Sequence, residues 1–269
     1  MNKRLLAATI IIFGVVAVGY VFVQQFHITG EIARRIPRII LREFHNKYLA
    51  LHKPDLDRMP NSIQGSKLFM RKLEFRDFEY YHPMINNPYC SDSFFINNAT
   101  RLVPIVDPNF YLYLQLIAQY FGTRVMYSCF DGTTKKIRGM VEILYIPHED
   151  DATKKGHYEI CGLAAPGEWG TGKALEAAAL AIEHFFKATQ EEELVAYVAP
   201  TNSRCHAFLL KCGFEFEHIA QEEHSKNELI FKIKRTNGLV VTQVVHKLLS
   251  HQQALKHCSK SLSAEKHQE

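Results

Sequence analysis

Pro166-Gly167-Glu168-Trp169-Gly170-Thr171-Gly172-Lys173-Ala174-Leu175-Glu176-Ala177 leaves a predicted strand over residues 157–164 and opens a predicted amphipathic helix that runs to about residue 187. Two glycines let the backbone turn tightly and bring its N–H groups close to a ligand, and the helix N-terminus adds a partial positive charge. Such a turn can hold a pyrophosphate, and it can equally be a plain helix start. It is neither a P-loop, whose G-x-x-x-x-G-K-S/T spacing is missing, nor a complete G-x-G-x-x-G dinucleotide turn, because Leu175 stands where the last glycine belongs. Ala174, Ala177 and Ala178 are small enough for the helix to approach a sheet, and Leu180, Ile182 and Phe185 continue its apolar stripe.

Downstream lies Ala199-Pro200-Thr201-Asn202-Ser203-Arg204-Cys205-His206-Ala207-Phe208-Leu209-Leu210-Lys211-Cys212-Gly213-Phe214, which reads as a strand end, a capped helix and a glycine stop. Asn202 or Ser203 can cap the helix, and Gly213 can supply the left-handed residue after it. Around these two segments, periodicity predicts strands at residues 67–73, 124–130, 137–146, 194–199, 215–220 and 228–234. Helical segments are predicted near residues 75–85, 110–121 and 203–211, with a hairpin turn at Asp131-Gly132-Thr133. Strands mixed with helices in this order predict an α+β sheet protein.

At 269 residues the chain has room for one main domain plus appendages. At 47% hydrophobic and 22% charged residues the chain is expected to pack a core rather than remain disordered. A formal charge of +4, with basic residues spread along the chain, predicts no nucleic-acid partner. Cys90, Cys129, Cys161, Cys205, Cys212 and Cys258 form no C-x-x-C pair and no cluster with histidine, so reduced thiols and no metal are expected.

The N-terminus carries a different signal. Residues 5–23 are an uncharged run of 19 residues, enough to cross about 30 Å of hydrocarbon as a helix. A single-pass membrane anchor over residues 1–25 is expected. A cleaved signal peptide is the competing reading, although the run is longer than usual and Gln24-Gln25-Phe26-His27 is a poor cleavage context. The charge bias favours a cytoplasmic body. Residues 26–65 read as a basic juxtamembrane stretch and linker, the stretch being either a helix on an anionic surface or a solvated stalk kinked at Pro37. Residues 53–65, rich in Pro, Asp, Asn, Ser and Gly, are the linker. The catalytic body is expected over residues 66–236. Residues 237–269 are expected to form a final helix and a polar tail, the helix packing on the body or pairing with a partner, a dimer included.

The two segments together resemble the GNAT superfamily of acetyl-CoA-dependent N-acetyltransferases, most closely its RimJ/RimL-like branch. Trp169, Gly170, Gly172, Ala174, Glu176 and Ala177 match the Y-W-G-x-G-x-A-x-E-A turn of that branch, and Asn202, Lys211, Gly213 and Phe214 match its N-x-x-S-x-x-x-x-x-K-x-G-F helix. Leu68 to Leu73 followed by Asp77 is similar to its opening strand and helix, and Glu159-Ile160 with Pro166 to its strand before the turn. The resemblance spans residues 67–235. Three positions depart from it: Cys205 stands where serine is usual, Cys161 where glycine is usual, and Glu168 where an aromatic residue is usual.

The resemblance implies a GNAT-like mixed, mostly antiparallel sheet with splayed central strands flanked by helices, and acetyl-CoA as co-substrate wedged between those strands. It implies that the N–H groups of Gly170, Thr171, Gly172, Lys173 and Ala174 cradle the pyrophosphate beside Trp169. The backbone of Leu163 and Ala164 would bond the pantetheine, and Asn202 would position it. The amine would attack the thioester directly, with Glu159 as candidate base. Many relatives stabilise the departing thiolate with a tyrosine; Leu209 occupies that position here, as is usual in the branch. Ser203 or Cys205 would then be the donor, with His206 as fallback. A plain helix cap for Asn202 and plain packing for Cys205 remain open. The acceptor is expected to be a primary amine: a protein N-terminus, a lysine or a small amine. Phe94, Phe95, Asn97, Asn98 and Arg101 are candidates to select it. A catalytically inactive, membrane-tethered binding module and a transferase for another acyl donor are the alternatives.

Overall fold

The computed structural model describes residues 54–85, 108–148, 155–220 and 228–238, together with Val241, Gln243 and Val245. The expected membrane anchor and basic juxtamembrane stretch, and the acceptor-selecting residues 94–101, lie outside the described residues. Among the described residues no helix is long and apolar enough to cross a membrane.

Eight strands form one sheet in the order β1-β2-β3-β4-β5-β6-β8-β7. They are β1 (Ser62–Gln64), β2 (Leu68–Lys72), β3 (Arg124–Asp131), β4 (Ile137–Ile146), β5 (His157–Ala164), β6 (Glu193–Val198), β7 (Glu215–Ile219) and β8 (Leu229–Lys234). The helices are α1 (Phe78–Ile85), α2 (Pro108–Phe121), α3 (Lys173–Ala188), α4 (Ser203–Lys211) and a short closing turn, α5 (Arg235–Gly238). Every neighbouring pair is antiparallel except β5 and β6, which are parallel. A parallel pair needs a crossover, and α3 supplies it.

Strand alternation divides the core into two layers. Val125, Tyr127, Val141, Ile143, Tyr158, Ile160, Leu194 and Ala196 point to one face and bury against α3. Met126 and Met140 point to the other, where Phe78 and Tyr81 of α1, Leu112 of α2 and Leu73, just after β2, cover them. Ala177, Ala178, Ala179 and Ala181 are all buried, so α3 lies close on its face.

Both ends of α3 are tied to the body. Glu176, fully buried in its first turn, accepts hydrogen bonds from Ser66 N–H and Ser66 Oγ at 2.6 Å each and from Lys67 N–H at 3.1 Å. A carboxylate there also complements the helix dipole. At the other end the Arg235 guanidinium donates to the carbonyl of Phe186 (2.6 Å), which the ending helix leaves without an amide, and to those of Thr189 (2.7 Å) and Glu191 (2.9 Å) just beyond it.

The expected linker differs from what is observed. Residues 56–58 form a 3₁₀ turn and residues 62–64 form β1, which pairs with β2 and puts Leu56, Met59 and Ile63 into the core. The Pro, Asp and Asn residues that suggested a loop serve the turns, while three spaced apolar side chains hold the segment down. Near the C-terminus, Val241 and Val245 join the main core, so this part of the final helix packs on the body.

Glu176→Ala is expected to leave three donors at a buried site unsatisfied and to cost about 3 kcal/mol. Thermal unfolding should show a Tm lower by roughly 10 °C.

Candidate active site

The parallel pair carries one registered contact, Glu159 with Val195, although β5 continues to Ala164 and β6 to Val198. Past that contact the strands part. A cavity of about 780 Å³ fills the gap, lined on one side by Ile160 to Ala164 and on the other by Ala196 to Ala199, with α3 and α4 contributing Ala174, Ala178, Asn202 and Cys205.

The backbone along the gap follows from one bond. Ala165 N–H donates to Arg138 O (2.9 Å). Bonded and non-bonded pairs alternate along an antiparallel ladder, so Leu163 turns its backbone to β4, while Gly162 and Ala164 turn theirs to the gap. Leu163 lines the cavity too, with its backbone turned to β4 by this alternation. Gly162 was missed; a glycine inside a strand pattern is the signal for close backbone approach. The Ala164 carbonyl accepts the Trp169 indole N–H at 3.1 Å.

At the mouth, Gly170 and Gly172 have φ of +76° and +84°, left-handed values that strain any other residue. Of the five amides expected to face a pyrophosphate, Thr171 N–H bonds Glu168 O at 3.3 Å and Lys173 N–H faces Thr171 Oγ1 at 3.3 Å. No protein acceptor lies on the N–H groups of Gly170, Gly172 or Ala174 among the described residues. Those three, at the N-terminus of a 16-residue helix, are the anion-facing set. Trp169 is 37% exposed, and the Arg204 guanidinium stacks over its ring at 4.2 Å. That stack joins the turn after β5 to α4 across the mouth.

The Lys173 side chain does something the sequence did not suggest. Its ammonium binds Asp131 and, at 2.9 Å, Glu168, while Arg138 Nε lies 3.4 Å from the other Glu168 oxygen. Glu168 thus ties two cations beside the turn, a use for the residue that replaces the usual aromatic. The Lys173 ammonium holds the Asp131 carboxyl well below the usual carboxylate range, helped by the Thr134 amide. In return Asp131 and Glu168 raise the Lys173 pKa.

Asn202 caps α4, its Oδ1 accepting from Cys205 N–H at 3.1 Å, and also lines the cavity. Burial pushes the Cys205 thiol up to about 11, so it is a thiol at neutral pH. Ser203 lines the cavity as well. His206 does not; its Nε2 is hydrogen-bonded to Ala199 O at 3.1 Å. Cys205 packs with the α3 layer, whereas Cys161 packs with the α1 and α2 layer, and strand alternation puts Glu159 on the latter face with it. Glu159 and Cys205 therefore approach the gap from opposite sides of the sheet.

Glu159 is 5% exposed and lines the cavity. Beside it on β4, Glu142 accepts from Arg124 at 2.8 Å and from the Cys161 thiol at 3.2 Å, and Arg124 also donates to Gln115. Burial, then the charges of Glu142 and Glu159, push the Cys161 thiol well up. This network was invisible to the sequence because its members are spread over α2, β3, β4 and β5. Among the described residues no group of three or more His, Cys, Asp or Glu is arranged to hold a metal ion.

The profile of the acetyltransferase (GNAT) domain matches residues 67–215. Among solved structures, Mycobacterium smegmatis RimJ in complex with CoA-disulfide superposes with a TM-score of 0.53 at 16% identity, over 72% of this chain and 96% of its own. An acetyltransferase from Agrobacterium tumefaciens gives 0.52 at 20% identity, over 64% and 93%. The Vibrio cholerae spermidine N-acetyltransferase in complex with CoA and spermine gives 0.51 at 20%, over 65% and 99%. These identities speak for the fold alone. No curated protein matches the chain by sequence.

The Asp131 shift has a pH signature. A depressed folded-state pKa stabilises the fold above the unfolded carboxyl value, about 3.9, and that contribution fades as pH falls further. Asp131→Asn should therefore lower Tm by a constant amount from neutral pH to about 5, and by progressively less below about pH 4, as read by thermal melts across that range.

Proposed function

From the premise that this chain belongs to the GNAT family of acetyltransferases, and so is an acyl-CoA N-acyltransferase, we propose that it moves the acetyl group of acetyl-CoA to a primary amine by direct attack. The observation that carries this reading is the opening of the β5–β6 gap beyond its one registered pair, with unpartnered amides at the mouth. The N–H groups of Gly170, Gly172 and Ala174 bind the pyrophosphate at the wide end. Gly162 and Ala164 offer backbone groups along the gap, and Asn202 steadies the pantetheine arm from the α4 side. The sulfur then lies toward the narrow end, where Glu159, Cys161 and Tyr197 line the walls.

The amine approaches from the α1 and α2 face, because Glu159 stands on it. Glu159 takes the ammonium proton, the freed nitrogen forms its bond to the thioester carbon, the C–S bond breaks with its electrons going to sulfur, and the second proton that the nitrogen must lose passes to solvent. Cys205 approaches from the other face. A thiol near 11 is a poor proton donor to a thiolate whose own value is about 8.5, so Cys205 steadies the leaving sulfur by a hydrogen bond and solvent protonates it. The same value argues against Cys205 as a covalent nucleophile, which would need a lowered pKa.

The acceptor is a protein N-terminus, a lysine or a small amine. The uncharged residues 5–23 support a membrane-anchored chain with a cytoplasmic catalytic body.

Calorimetric titration of the full chain with acetyl-CoA should give binding in the range of about 1 μM–1 mM. Gly170→Val with Gly172→Val should abolish it; retained binding means that the pyrophosphate lies elsewhere.

Against an amine that is turned over, Glu159→Gln should cut kcat by about 10²–10³-fold. Cys205→Ala should cost about 5-fold and Cys205→Ser almost nothing, as fits one hydrogen bond. Acetyl-CoA binding without turnover across an amine panel would instead favour a binding module.

A further inference from the structure

His157 and Tyr197 take no part in the reaction above, yet they meet across the narrow end of the gap. His157 Nε2 and the Tyr197 hydroxyl are hydrogen-bonded at 3.2 Å, with ring centroids 5.8 Å apart. Alternation along β5 puts His157, Glu159 and Cys161 on one face, and alternation along β6 puts Val195 and Tyr197 on the same face. Glu159 pairs with Val195. Tyr197 lies beyond that row on β6 and His157 before it on β5, so the bridge between their side chains has to pass over the row that carries Glu159. Tyr197 also lines the cavity.

A carboxyl that takes a proton must lose it before the next turnover. Glu159 is 5% exposed, while His157 is only half-buried and opens its strand. We infer that Tyr197 and His157 relay the proton from Glu159 to solvent, which makes them positioning residues acting through that base. The inference rests on Glu159 as the base. In the relay the protonated Glu159 gives its proton to the Tyr197 oxygen as the Tyr197 hydroxyl proton passes to His157 Nε2. The imidazolium so formed releases its other ring proton to water, and tautomer exchange of the imidazole through water with rotation of the Tyr197 hydroxyl restores the starting arrangement. Imidazole suits the last step because its ordinary pKa lies close to neutrality. Of the other polar groups on this face, Arg124, Glu142 and Cys161 are bonded to one another, and Lys232, beside Val195, is paired with Glu193 and Glu217. None of them joins Tyr197 to His157.

The test uses the full chain with acetyl-CoA and, as acceptors, spermidine and a peptide with a free N-terminal amine. His157→Ala should lower kcat on the order of 10–100-fold at unchanged KM for acetyl-CoA, and added imidazole should restore much of the loss. Glu159→Gln should not be restored. Tyr197→Phe should lose a similar amount, and the double variant no more than the worse single one, as expected for one coupled path. Unchanged kcat in His157→Ala, or a loss that imidazole leaves untouched, overturns the relay while Glu159 stands as base. Wild-type protein that binds acetyl-CoA but acetylates neither amine overturns both.

Discussion

The parallel contact between Glu159 and Val195 is the constraint on which the rest of this structure depends. Both strands run on past it without pairing, and backbone groups in such a gap need a partner from elsewhere. Antiparallel neighbours on either side keep each strand in place, with β4 holding β5 along its whole length and β8 holding β6. The sheet can therefore stay open at its centre without coming apart.

A parallel pair also dictates where the anion site falls. The crossover from β5 to β6 has to leave the end of β5 and return along the sheet, so the N-terminus of α3 arrives beside the wide end of the gap. Glu176 and Arg235 hold the two ends of that helix to the body through hydrogen bonds that the crossover itself does not supply. The positive end of the helix and the glycine amides consequently face the same opening as the strand edges. Asp131, Glu168, Arg138 and Lys173 neutralise one another beside it, which leaves the amides and the Arg204 guanidinium as the attraction for a phosphate.

Splitting the sheet into two faces gives the gap its chemistry. One face meets α3 and α4 and carries Cys205; the other meets α1 and α2 and carries Glu159, the Arg124–Glu142–Cys161 network and the His157–Tyr197 bridge. A thioester lying in the gap is open to both. Acid–base groups and the approaching amine belong to one side, and packing and capping groups to the other.

The sequence by itself determined the elements and their order, because hydrophobic period, helix caps and glycine turns act over a few neighbouring residues. The strands at His157–Ala164 and Ile137–Ile146 and the helix at Ser203–Lys211 were legible in that way, and its cap was narrowed to Asn202 or Ser203, of which the structure uses Asn202. The glycine turn and its place before α3 were legible too, although which amides remain unpartnered was not. Only the tertiary structure decided what depends on distant pieces of chain. It drew residues 56–64 into the fold through three buried side chains, turned the backbone of Gly162 rather than that of Leu163 toward the gap, tied Lys173 to Asp131, and joined His157 to Tyr197. Each of these follows from which strand lies next to which and in what register, and a pattern read along one segment holds no information about its neighbour across the sheet.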